Sequence, residues 1–272
     1  MSVGVTNRNR GKTVGATILP IANQKGGVGK TTTALSLGAA LVRLKKKVLV
    51  VDLDPHANAS IHMAFFPEKL KYTVLDLFLS KGPEPDIWDR IIYPDKGSGF
   101  DFVPSHIRLS ELEVDLKDKP GKGLILRKAL EAVSSEYDYV LLDCPPHVGI
   151  ILVNALVAGD LLIIPIQTDF LALHGVRLIF DTIRTLSKAL GRPIRFRALA
   201  TMYDQRASAC RRVLDILTKK MPDRLFKSVI SMDTKFREAS AQGQVIFDID
   251  PKCSGAKQYL QLAKEIIAHE NS

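Results

Sequence analysis

Residues 24–32 read Gln-Lys-Gly-Gly-Val-Gly-Lys-Thr-Thr. They follow the apolar run ATILPIA (16–22) and precede a segment with helical spacing at Ala34, Leu35, Leu37, Leu41 and Leu44. Few architectures accept strand, glycine loop, Lys-Thr and helix in that order. Glycines let the backbone wrap an anion so that successive N–H groups converge, and the start of the following helix adds positive potential. A chance glycine-rich turn has no reason to place Lys and Thr at the helix start. The segment therefore reads as a phosphate-binding loop of the G-x-x-x-x-G-K-[ST] type. Lys30 is placed to bridge the β- and γ-phosphates, and the Thr31 hydroxyl to ligate Mg²⁺. Two residues depart from the pattern: Gln24 stands where its first glycine belongs, and Lys25 is a second lysine that it does not require.

The rest of the chain alternates between strand and helix signals. VLVVDLD (48–54), YVLLDCPP (139–146), LLIIPIQ (161–167), FRALATMY (196–203) and SVIS (228–231) are strand candidates. Helical stretches are expected at about 121–136, 170–190, 207–221 and 256–269. Continuous apolar runs, as opposed to alternating ones, suit a parallel sheet covered on both faces. The expected fold is α/β: a single-domain, doubly wound, mostly parallel sheet flanked by helices, of the P-loop NTPase type. With 272 residues and 46% hydrophobic content the chain can bury a core of that size. The segment 67–99, with Pro67, Pro83, Pro85 and Pro94, reads as short helices and loops and not as a second domain. Residues 1–15 read as a flexible basic tail, which leaves 16–272 as the domain.

Ligands of doubly wound sheets sit at the carboxyl ends of strands, and three acids fall there. Asp143 follows YVLL and is placed to hold Mg²⁺ through a water, while one of Asp52 and Asp54 would orient the attacking water. A lone strand-end aspartate is more often a loop cap; three beside a phosphate loop point to a magnesium nucleotide site.

KGGVGKTT, VDLDPHAN (51–58) and LLDCPP (141–146) together resemble the ParA/MinD family of deviant Walker A ATPases. The resemblance continues through PIQTDFLALHGV (165–176), TMYDQR (201–206) and GAKQYLQLAKEI (255–266), and is closest to the ParA/Soj partition branch. It implies ATP or ADP with Mg²⁺ as cofactors, bound by Lys25, Gly26, Gly27, Val28, Gly29, Lys30, Thr31 and Thr32. It implies that Lys25 reaches across a homodimer interface to the partner's nucleotide, that Asp54 positions the hydrolytic water, and that Asp52 supports the Mg²⁺ shell beside Thr31 and Asp143. Met202 stands where relatives contact adenine; a core methionine is the equal alternative. Residues 54–60 and 143–149 would be the switch segments. His56-Ala57 stands where many relatives have Gln-Gly, and His147 where Ser is usual.

The net charge of +9, with pI ≈ 9.4, favours a polyanionic partner. Basic residues concentrate between Arg177 and Arg237, without a helix-turn-helix or zinc-finger pattern, so contact would be with the phosphate backbone and salt-sensitive. The family implies nonspecific duplex DNA as that partner and a ParB-like protein as activator. Arg206 and Lys235 align with DNA-contacting residues; Arg237, Arg211 and Arg212 join them on charge alone. Three scattered cysteines, Cys144, Cys210 and Cys253, suit a reduced compartment, and the expected location is cytoplasmic and nucleoid-associated. The alternatives are a ParA-like ATPase that positions a non-DNA cargo and a MinD-like membrane switch. The latter would need the last helix, with Tyr259, Leu260, Leu262, Ala263, Ile266 and Ile267, to face lipid; packing on the chain's own core explains that helix better, and no membrane partner is expected. A nitrogenase-type iron–sulfur dimer would need cysteines at other positions.

Overall fold

The computed structural model describes residues 15–80, 86–94, 97–169 and 172–270. The basic tail expected at 1–15 lies outside them except for Gly15. The chain enters as β1 (Thr17–Ile21), turns through the glycine loop into α1 (Lys30–Arg43) and returns as β2 (Val48–Asp52). Short elements follow: α2 (Asn58–His62), α3 (Val74–Leu79) and α4 (Ile87–Ile91) precede β3 (Asp101–Val103), and α5 (Leu112–Asp115) and α6 (Ile125–Leu130) precede β4 (Tyr139–Asp143). The second half alternates regularly through α7 (Ile150–Ala158), β5 (Leu162–Gln167), α8 (Ala172–Leu190), β6 (Phe196–Tyr203), α9 (Ser208–Lys220) and β7 (Leu225–Ser231). It closes with α10 (Lys235–Gln242), α11 (Ile246–Ile249) and α12 (Ser254–Glu270).

The seven strands form one parallel sheet in the order β3-β2-β4-β1-β5-β6-β7. β1 lies in the middle, between β4 and β5. From it the chain winds first toward β2 and β3, then crosses to β5 and builds the other half. The crevice where the winding reverses opens at the carboxyl end of β1, and the glycine loop lies there.

The central strands supply both cores. Leu49 and Val51 of β2, with Val140 and Leu142 of β4, face one helical layer; Val48 and Val50, with Tyr139 and Leu141, face the other. This two-sided burial is why those strands show no polar alternation. The second layer includes α1 and α12. Tyr259, Leu262, Ala263 and Ile266 of α12 are 0–1% exposed, so the last helix uses its apolar face on the chain's own core. No helix among the described residues is long and apolar enough to cross a membrane.

Several elements differ from the sequence expectation. The helix expected at 121–136 is only a 3₁₀ turn, Lys122–Leu124, and the short α6. Gly121 enters at φ 70°, and beyond Leu130 the backbone bonds shift to the i→i−3 pattern, Ala132 to Ala129 and Val133 to Leu130. No helix is expected between YVLLDCPP and LLIIPIQ, where the structure has α7. Its Asn154 is fully buried: the side chain donates to the carbonyls of Lys122 and Ile150 and accepts from the Leu126 N–H, pinning α6 to α7. β3 and α10 carry no pattern strong enough to be seen in advance.

Candidate nucleotide site

The phosphate loop is shaped by backbone geometry. Gly27 and Gly29 have φ of 74° and 88°, in the left-handed region that glycine enters at little cost. Gly29 is the N-cap of α1 without a side-chain cap, and the first helical bond runs from the Thr33 N–H to its carbonyl. The N–H groups of Lys30, Thr31 and Thr32 have no intrahelical acceptor and are available to an anion. A Cβ added at Gly26 or Gly27 would meet nothing within 4 Å, so both exposed positions face open space. One local and two long-range contacts fix its position. Asn23 donates to the Pro165 carbonyl at 2.7 Å and accepts the Lys25 N–H, and Thr201 on β6 donates to the Val28 carbonyl at 2.9 Å.

The two lysines of the loop have different surroundings. Lys30 is 8% exposed and points back into its own loop, where Nζ donates to the Lys25 carbonyl at 3.3 Å. Burial lowers its pKa, against the opposing fields of Asp143 and Asp54. Lys25 turns outward. Its Nζ lies 2.9 and 3.1 Å from the two carboxylate oxygens of Asp169, beyond the end of β5. Next to it, Gln24 donates to Thr182 on α8 at 2.9 Å. The second lysine is thus held away from the cradle that Lys30 serves.

The acids form two groups. Thr31 Oγ1 donates to Asp143 Oδ2 at 2.7 Å, while the buried Asp143 Oδ1 has no hydrogen-bond partner. An unpartnered buried carboxylate oxygen beside a threonine hydroxyl is a donor set that suits Mg²⁺ or one of its waters. Burial raises the Asp143 pKa well above the usual carboxylate value, with Asp52 adding to the rise. Among the described residues no group of three or more His, Cys, Asp or Glu side chains could hold a metal by itself, so the remaining ligands would be phosphate oxygens and water.

Asp52 pairs in register with Asp143 but is already engaged. Its Oδ1 accepts the Asp54 N–H at 3.0 Å, and its Oδ2 accepts both the N–H and the hydroxyl of Ser60, at 2.8 and 2.7 Å. That makes it the organiser of the 54–60 loop and leaves support, not direct ligation, as its part in a magnesium shell. Ser105, after β3, donates its hydroxyl to the Asp54 carbonyl at 2.6 Å and its N–H to Ser60 Oγ at 2.9 Å. Asp54 lies just past the end of β2, 6% exposed, with His56 on its carboxylate. Asn23, Ser60, Ser105, Asp169 and Thr201 were not singled out by sequence; each acts through a partner that only the fold brings near.

A cleft of about 840 Å³ continues from Gly29 and Thr32 along Thr201, Met202 and Tyr203. Met202 adopts φ 52° and lines this cleft half-buried, outside the packed core. Arg206 and Arg237 reach the same cleft; Lys235 is not among its lining residues. Arg206 makes a two-pronged pair with Asp204, at 3.2 and 3.3 Å, and Lys235 pairs with Glu238 at 2.6 Å. Arg211 donates to the carbonyls of Gln205 and Arg206, bracing the loop that displays Arg206. Arg212 and Arg237 are exposed. The five cations expected for DNA thus differ in exposure and in partners.

The model of the AAA domain family matches residues 16–196. The sporulation initiation inhibitor protein Soj of Bacillus subtilis is 37% identical over 253 residues, covering 93% of this chain and 98% of that protein. The chromosome partitioning protein ParA of Caulobacter vibrioides is 35% identical over 256 residues, covering 93% and 94%. Among solved structures, cobyrinic acid a,c-diamide synthase from Mycobacterium smegmatis, with bound ADP and magnesium, superposes with a TM-score of 0.78 at 30% identity. That match covers 94% of this chain and 96% of the other. Apo McdA of Cyanothece shares the fold at TM-score 0.80 and 23% identity, over 93% and 99% of the two chains. With its glycine loop, second lysine and strand-end acids in the places described, the chain belongs to the ParA/Soj family of deviant Walker A ATPases.

Proposed function

We propose that this chain is a partition ATPase that works as a nucleotide-controlled switch: ATP and Mg²⁺ close two copies face to face, the dimer binds duplex DNA without sequence preference, and a ParB-like partner stimulates hydrolysis and release. The observation that carries the reading is the outward lysine. Lys30 alone serves the chain's own cradle, whereas Lys25 sits at the rim on an ion pair that is about one-third exposed on each side. Such an exposed pair is weak and can be exchanged for a phosphate. A cation surplus to its own site can neutralise charge on a facing nucleotide, so binding energy becomes available only when two chains meet. Asp54 is the residue assigned to the attacking water, Lys30 and the N–H groups of the loop hold phosphate, and Thr31 with Asp143 holds the metal, which supplies charge neutralisation on the phosphates.

The test is binding to random-sequence duplex DNA with ATP, with ADP and without nucleotide, across a salt series, alongside an Asp54→Ala variant that retains ATP. Tight, salt-sensitive binding confined to ATP, and prolonged in Asp54→Ala, is expected. Equal binding in all three states would reject the switch.

A further inference from the structure

We propose that His56 is a positioning residue for hydrolysis: its imidazole clamps one oxygen of the Asp54 carboxylate and thereby presents the other to the attacking water. The inference rests on the assignment of Asp54 made above. Asp54 is held at every polar group but one. Its N–H donates to Asp52 Oδ1 and its carbonyl accepts from Ser105 Oγ. Its Oδ1 receives two contacts from His56, the backbone N–H at 3.0 Å and Nδ1 at 3.1 Å. The backbone contact is a local turn that any residue makes. The ring contact needs a side chain with a donor at the δ position. With it, the carboxylate is fixed by two donors on one edge, and Oδ2 remains as the acceptor for water.

The two side chains contrast in burial: Asp54 is 8% exposed and His56 68%. The histidine is therefore not required by the core, and its replacement leaves the Asp52–Ser60–Ser105 network intact. The contact also dictates where a proton sits. A carboxylate oxygen accepts, so Nδ1 must carry hydrogen.

Basal single-turnover hydrolysis and ATP affinity would be measured for His56→Ala, His56→Asn and Asp54→Ala. In His56→Ala the hydrolysis rate is expected to fall by about tenfold, the size of effect that loose positioning of a reacting group produces, with ATP affinity within about twofold. His56→Asn, whose amide nitrogen occupies the place of Nδ1, is expected to restore most of the rate; a merely structural role would not distinguish Asn from Ala. A readout independent of turnover is the imidazole ¹⁵N spectrum of the nucleotide-free protein. There His56 is expected to show a protonated Nδ1, a signature lost in Asp54→Ala. Full activity in His56→Ala with an inactive Asp54→Ala would overturn the role of His56 alone, as would an unprotonated Nδ1. Normal hydrolysis by Asp54→Ala would overturn the assignment of Asp54 and His56 together, while leaving the DNA and dimer experiments to be judged on their own.

Discussion

Asp52 and Asp143 occupy adjacent strand ends in the centre of the sheet, and both are fully buried. Burial disfavours charge on each; the charge of Asp52 opposes that of Asp143, and the charge of Asp54 opposes that of Asp52. The folded chain therefore keeps protons on this pair that the unfolded chain releases near the ordinary carboxylate pKa. Between that value and the raised folded value, unfolding releases protons, so stability falls as pH rises. The nucleotide-free protein is expected to lose stability from Asp52 between about pH 4 and pH 7, the pKa that residue reaches, and Asp143 adds a loss in the same direction. Asp143→Asn removes one of the two charges. Its melting temperature should exceed that of the parent by a margin that grows with pH across the window, and the extra stabilisation that Mg²⁺ adds to bound nucleotide should shrink. A margin independent of pH would contradict the burial argument. Ala57 gives a second expectation at this scale. It adopts φ 53°, a conformation that costs a residue with a Cβ roughly 1–2 kcal/mol and glycine very little. After glycine's own entropic penalty, Ala57→Gly should stabilise by up to about 1 kcal/mol, or about 2–4 °C by calorimetry.

The glycine loop is also the junction of elements. Through Gln24 it touches α8, through Lys25 the segment after β5, and through Val28 it touches β6. If Lys25 reaches a facing nucleotide as proposed, it must leave Asp169, and the intrachain pair would then compete with dimerisation. Asp169→Ala is expected to move the ATP concentration for half-maximal dimerisation downward by several-fold, read by sedimentation velocity, because the lysine no longer has to leave a partner. An unchanged midpoint would show that the pair is too solvent-exposed to matter. Such connections mark the boundary of what was legible in advance. The order strand, loop, lysine, helix and the acids ending VLVVD and YVLLD announced the sheet, the crevice and the phosphate chemistry, since each is a short-range pattern. Asp169 is 144 positions from Lys25, and Thr201 is 173 from Val28. No local period reveals such pairs. β3 is three residues between Gly99 and Pro104, below the length at which alternation means anything, and α7, apolar but for the buried Asn154, has no polar face to betray a helix.

At the scale of the whole molecule, the excess of positive charge attracts any polyanion, so a nucleotide-dependent response must come from geometry. One chain presents a few exposed cations at the carboxyl end of the sheet, on the same side as the nucleotide cleft: Arg206 and Arg237 line that cleft, and Arg212 follows on α9. Pairing two chains doubles the number of phosphates that can be contacted at once, and each contact steepens the fall of log affinity with log salt by about 0.9. Two classes of variant should then separate. Lys25→Ala is expected to bind ATP, stay monomeric and lose ATP-dependent DNA binding altogether. Arg212→Ala or Arg237→Ala should still dimerise with ATP, and each that touches DNA should flatten the salt slope by about 1.8, one contact from each of two chains. If Lys25→Ala stays monomeric yet binds DNA as the parent does, the basic face acts without the dimer. If the arginine variants leave the slope unchanged, the DNA face lies elsewhere among the cations between Arg177 and Arg237. Loss of the dimer in Lys25→Ala, with no DNA binding by the parent in any nucleotide state, would separate the ATPase from DNA entirely and leave the surplus lysine to a purely protein assembly.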